Sequence, residues 1–120
     1  MAIVNQVDKK VRMTTREIVK FQLLTHCFLV GIVVSDADLE CLAFLAMEGD
    51  TELMPFCIKA SERGIFLSVQ SVRNCLNKAQ KKDLVVKEKK NKKKIYINPE
   101  LNISASGNIM LNLKFLSLAA

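Results

Sequence analysis

The sequence predicts a mainly helical α+β domain with extra strands at its two ends. Three observations carry that expectation. Three segments open on Ser or Thr and continue with apolar residues at helical spacing, beginning at Thr14, Ser35 and Ser68. Two short β-branched runs, Leu84-Val85-Val86 and Ile95-Tyr96-Ile97, flank a polar turn and form a hairpin signal. The stretches 1–7 and 108–118 have the composition of strands, and in the second Ile109, Leu111, Leu113 and Phe115 alternate onto one face. Met110 and Leu116 make its other face partly apolar, so that strand asks for two covers.

In chain order, Asp8 to Arg12 is a charged connector. Thr14-Thr15-Arg16-Glu17 fits a capping box, in which hydroxyl and carboxylate each satisfy a free backbone N–H. The helix it opens runs to about Cys27, with Ile18, Phe21, Leu24 and Phe28 on its apolar face. The continuous run LVGIVV that follows fits either a short buried strand or further helix. Ser35-Asp36-Ala37-Asp38 sets a capping hydroxyl and two acids at the positive end of a second helix. That helix extends to Met47 or Glu48, with Leu39, Leu42, Ala43 and Ala46 inward and Gly49 as its stop. A third helix spans roughly Glu52 to Arg63, with Pro55 near its start and Gly64 ending it. After the Ser68 cap, Val69, Val72, Cys75, Leu76 and Ala79 define the narrow apolar face of a fourth helix, which continues to Lys82.

A chain of 120 residues, half of them apolar, is one domain. Its net charge is +6, and the distribution of that charge is the informative part. Residues 70–97 hold ten basic and two acidic side chains, a net of +8, while the remainder is slightly acidic at −2. The partner expected at that end is a polyanion.

Enzyme chemistry finds no foothold. There is a single histidine, His26, no Gly-rich phosphate loop and no nucleophile with an evident base. Asp36 and Asp38 are explained by helix capping. Cys27, Cys41, Cys57 and Cys75 sit among apolar neighbours with no CxxC pair, so they read as free thiols of the core in a reducing setting. No metal or other cofactor is expected. No signal peptide is visible, and the apolar run 27–34 is far short of the roughly 20 residues of a membrane span. The expected location is cytoplasmic, in a bacterium or a phage-infected host.

Helix, helix, turn, helix and hairpin, with basic residues gathered on the last two elements, resembles a winged helix-turn-helix domain over about residues 35–98. The resemblance makes 52–63 the supporting helix, 69–82 the recognition helix and 84–97 the wing. It implies duplex DNA as the partner, with no membrane role. Gln70, Ser71, Arg73, Asn74, Asn77, Lys78 and Lys81 would face the groove, where base edges are read by Arg, Lys, Asn and Gln. Lys87, Lys89, Lys90, Lys92, Lys93 and Lys94 would meet phosphates, giving attraction that is indifferent to sequence. A bound helix covers few base pairs, so a dimer is expected.

The segment YINPEL after the wing is similar to the corresponding segment of some plasmid replication initiators. Over its whole length the chain is similar to small proteins of the crAss-like phages of Bacteroidetes. Two roles follow as expectations. One is a DNA-binding regulator or replication-associated factor. The other is a structural component of a phage virion (a portal, connector or tail ring), assembled through 1–7 and 108–118 as a homo-oligomer or with neighbouring proteins.

Overall fold

A computed structural model describes residues 12–49, 51–88, 90 and 93–107. Four helices and a small antiparallel sheet make a mainly helical α+β fold: α1 (Thr15–Val30), α2 (Asp36–Glu48), β1 (Thr51–Glu52), α3 (Leu53–Glu62), α4 (Val69–Lys81), β2 (Val85–Lys87) and β3 (Lys94–Ile97). The strands anticipated at 1–7 and 108–118 lie outside the described residues.

The helix starts follow from local chemistry. Thr14 and Ser35 each close a complete capping box, with Glu17 and Asp38 as the returning carboxylates. Ser68 caps α4 by accepting from the Ser71 N–H at 3.1 Å. The exits are equally local. Gly31 ends α1 in the left-handed region at φ 76°, donating its N–H to the carbonyls of Cys27 and Phe28. The run after Cys27 is therefore helix as far as Val30 and irregular chain from Gly31 to Val34, rather than a strand.

The centre of the fold is α2. It buries Leu39, Cys41, Leu42, Ala43, Phe44 and Leu45, a wider arc than one amphipathic stripe, because it is covered from several sides. Ala46, expected inward, is only half-buried. α1 covers one side through Val19, Leu23 and Cys27, residues one turn apart. Polar contacts fix the pairing at its rim. The Lys20 ammonium sits 2.7 Å from Asp36 and 2.8 Å from Glu40, and Arg16 pairs with Glu40. α3 and α4 cover another side, contributing Phe56, Cys57, Ala60, Val72, Cys75, Leu76 and Ala79. The Phe44 and Phe56 rings meet at 5.2 Å, and the Arg63 guanidinium lies 4.3 Å from the Phe44 ring centre.

The apolar face assigned to α1 from its sequence is corrected. Phe28 is 82% exposed and Leu24 46% exposed, whereas Val19, Leu23 and Cys27 carry the burial. The helix is apolar on two sides, and the side with the bulkier residues faces outward.

The sheet has the order β1-β3-β2, all antiparallel. β1 is a two-residue strand between α2 and α3 that the sequence reading did not foresee. It pairs Thr51 with Ile95 and Glu52 with Lys94, and the Leu53 N–H donates to the Lys93 carbonyl at 2.7 Å. Val85 and Ile95 point into the core, tying the hairpin to the helices.

Candidate nucleic-acid interface

α4 is strongly two-sided. Val72, Cys75, Leu76 and Ala79 are buried, and Gln70, Arg73, Asn74, Asn77, Lys78 and Lys81 are exposed. The helical repeat puts the six exposed residues on one face, with Gln70 and Arg73 in the first two turns. Ser71 belongs to the cap instead. It is half-buried, and its hydroxyl lies 3.0 Å from that of Ser68.

Two of these side chains are linked. The Gln70 Nε2 donates to Asn74 Oδ1 at 3.0 Å. Lys78 leans toward the body, its ammonium 4.0 Å from the Asp38 carboxylate, yet its side chain stays 68% exposed. The Arg73 charge acts on the Cys57 thiol of α3, pulling it down against the burial that raises it.

The exit from α4 sets the hairpin. Asp83 takes a left-handed conformation at φ 60°, a cost that Asp tolerates better than most residues. The Leu84 N–H then donates to the Ala79 carbonyl at 2.9 Å. Asn98 fastens the other end of the hairpin to the same turn. Its backbone N–H donates to the Leu84 carbonyl at 2.9 Å and its Nδ2 to the Asp83 carbonyl at 2.8 Å. Asn98 also caps the 3-10 turn Pro99–Leu101 by accepting from the Glu100 N–H. The hairpin is thus bound to the end of α4 at both of its feet.

Of the hairpin lysines, Lys87 lies half-buried in β2 and Lys94 half-buried in β3, while Lys90 and Lys93 are exposed. Lys89 and Lys92 lie outside the described residues. No basic residue of α3 had been assigned to the interface. Lys59 reaches back to Glu48 at 3.4 Å and Arg63 stacks on Phe44, so both cations serve the body of the fold.

The buried polar chemistry behind α4 is structural. Burial pushes the Asp38 carboxyl up, but the Ser35 N–H, the Cys75 thiol, the Ser35 hydroxyl and the Lys78 ammonium together hold it below its ordinary value. The Cys75 thiol is raised, by its hydrogen bond with the Cys41 thiol first and by burial second. Burial likewise raises Cys27 and Cys57. Protonated, enclosed thiols are poor nucleophiles and poor metal ligands. Among the described residues no three His, Cys, Asp or Glu side chains gather where they could hold a metal ion. The cleft between α2 and α4 measures about 30 Å³, room for a water molecule. Among the described residues no helix is long and apolar enough to cross a membrane.

Compared with known proteins, the chain matches no family model, and no curated protein or solved structure is significantly similar to it.

Proposed function

We propose that this chain binds duplex DNA, with α4 as the groove-reading helix and the β2–β3 hairpin as a phosphate-contacting wing. The observation that carries the reading is the exposed face of α4. Gln70, Arg73, Asn74 and Asn77 combine the residue types that read base edges, on a helix whose opposite side is anchored in the core. The order α2-β1-α3-α4-β2-β3 and the sheet order β1-β3-β2 support a winged helix-turn-helix. The lysine excess from Lys87 to Lys94 adds the attraction for a phosphate backbone. No catalytic step is assigned, and the role is that of a regulator or a replication-associated factor.

Fluorescence anisotropy of a labelled duplex at two salt concentrations tests this. Binding should weaken steeply with salt, and Arg73→Ala with Asn74→Ala should reduce the preference between sequences. Absence of salt-dependent binding would remove the reading.

A second reading, a subunit of a virion ring or connector, draws on the apolar outer side of α1, where Phe28 and Leu29 are 82% and 76% exposed. Light scattering after size exclusion separates the two, since a ring component self-associates or binds its neighbour without DNA.

A further inference from the structure

α1 carries an apolar surface that nothing among the described residues covers. Phe28 and Leu29 are largely exposed, Leu24 is 46% exposed, and Phe21 and Ile18 are half-buried. At 100° per residue these side chains fall on the side of the helix turned away from the Val19–Leu23–Cys27 stripe that packs on α2. Water-facing aromatic and aliphatic groups in this concentration mark a surface that something covers.

The far end of the described chain is fastened to the same helix. Gln22 of α1 holds the backbone of Ser104 in both directions. Its Nε2 donates to the Ser104 carbonyl at 2.7 Å, and its Oε1 accepts from the Ser104 N–H at 2.9 Å. This two-point bond joins residues 82 apart in sequence. Only Ala105, Ser106 and Gly107 separate the anchor from the apolar segment 108–118.

We infer that residues 108–118 dock on the outer face of α1 of their own chain, over Phe21, Leu24, Phe28 and Leu29. Reach, length and the size of the stripe all favour this occupant. Gln22 lies about 100° around the helix from Phe21, an arc of roughly 9 Å at the helix surface, and Phe28 and Leu29 follow about 11–12 Å further along the axis, a distance the segment itself covers. Three residues span up to about 10 Å, so the segment arrives at the stripe without strain. Eleven residues can extend to about 36 Å, more than the roughly 24 Å length of α1. The segment supplies Ile109, Leu111, Leu113 and Phe115, apolar partners for an uncharged stripe.

A second copy packed there through α1 alone fits less well. Stable interfaces use about 20–30 residues per partner, whereas this stripe comprises Phe21, Leu24, Phe28 and Leu29. A tethered segment needs no such extent, because its local concentration is on the order of millimolar.

Lys114 lies within the segment and makes the proposal measurable by limited trypsin digestion of the full chain, with mass spectrometry reading the loss of 115–120. Cleavage after Lys114 should be slow in the wild type. It should accelerate about tenfold or more in Phe28→Asp and in Leu29→Asp, because proteolysis follows the population of the open form. Both positions are exposed, so circular dichroism should show an unchanged helical fold. Leu67→Asp, at a fully exposed site elsewhere, should leave the rate unchanged. Equal cleavage in wild type and both α1 variants would overturn the inference, as would acceleration by Leu67→Asp. Protection that appears only as protein concentration rises, with a dimer in light scattering, would give the surface to a second copy and overturn it too.

Discussion

The side chains of Gln70 and Asn74 are joined across one turn of α4, the Gln70 Nε2 donating to Asn74 Oδ1 at 3.0 Å. Two amides that would otherwise sample several rotamers are thereby held as a pair. The bond engages one Gln70 N–H and one lone pair of the Asn74 oxygen, so the Gln70 amide keeps an oxygen and a second N–H of its own. A side-chain amide reads adenine with one donor and one acceptor, and Gln70 in this arrangement retains both.

The pair should therefore act as a unit in the proposed DNA complex. Asn74→Ala should relax discrimination at a single base-pair position by about 1–3 kcal/mol, even if Gln70 makes the base contact. The Gln70→Ala, Asn74→Ala double variant should lose less than the sum of the single losses. Competition anisotropy on duplexes differing at one position measures both. Strictly additive effects would show that the pair is not coupled in the complex.

The wing should behave differently. Replacing Lys89, Lys90 and Lys92 by Ala should weaken binding to all duplexes about equally and leave sequence preference alone. The slope of log Kd against log salt should fall by about 0.9 for each phosphate contact removed. A salt titration of wild type and variant gives the number directly. An unchanged slope would take these lysines out of the interface.

Much of this architecture was legible because it is local. Capping at Thr14, Ser35 and Ser68 depends on residues three apart, and each cap formed where the sequence put it. The face of α4 was legible for a similar reason: its polar and apolar residues separate cleanly around the helix. α1 offered no such contrast. Val19, Leu23 and Cys27 form one apolar stripe and Phe21, Leu24 and Phe28 another, and periodicity does not say which of two will meet α2. That choice is tertiary, made by shape and by the Lys20 and Arg16 pairs with α2. β1 was invisible because two residues have no period, and their partners at 94 and 95 are supplied by the returning arm of the hairpin. In the site, the hold of Asp38 on Lys78 joins two helices and has no local signal either.

The α1 assignment has a direct consequence for stability. Leu23 is fully buried and should cost about 2–5 kcal/mol when changed to Ala, through lost contacts and the cavity left behind. Leu67, fully exposed, should change stability by less than about 0.5 kcal/mol in the same substitution. Urea denaturation of the two variants makes the comparison. Similar small losses at both sites would mean that α1 does not pack on α2 as described.

The four thiols should be inert in the native protein. Each is buried out of reach of a reagent, and those of Cys27, Cys57 and Cys75 are also pushed upward, so these three form little thiolate even at pH 8. An aromatic disulfide reagent should titrate four thiols rapidly in denaturant and react far more slowly without it. A fast-reacting native thiol would contradict this burial.

Asp38 links the cap of α2 to the underside of α4, so its ionisation should appear in the pH dependence of stability. Its folded-state value is lowered below the ordinary 3.8, despite the burial that opposes this. The unfolded chain therefore takes up the proton first as pH falls. The stabilising contribution is complete above about pH 5 and disappears as pH drops through the folded-state value. Asp38→Asn removes the charge that accepts from the Ser35 N–H and faces Lys78. It should cost about 1 kcal/mol near neutral pH, the usual size of a lost cap interaction. The gap between wild type and variant should then narrow steadily below pH 4, because protonated Asp and Asn carry the same charge. Urea midpoints measured from pH 7 to pH 3 test this. A gap that stays constant across that range would show that the carboxylate's charge contributes nothing to the α2–α4 junction.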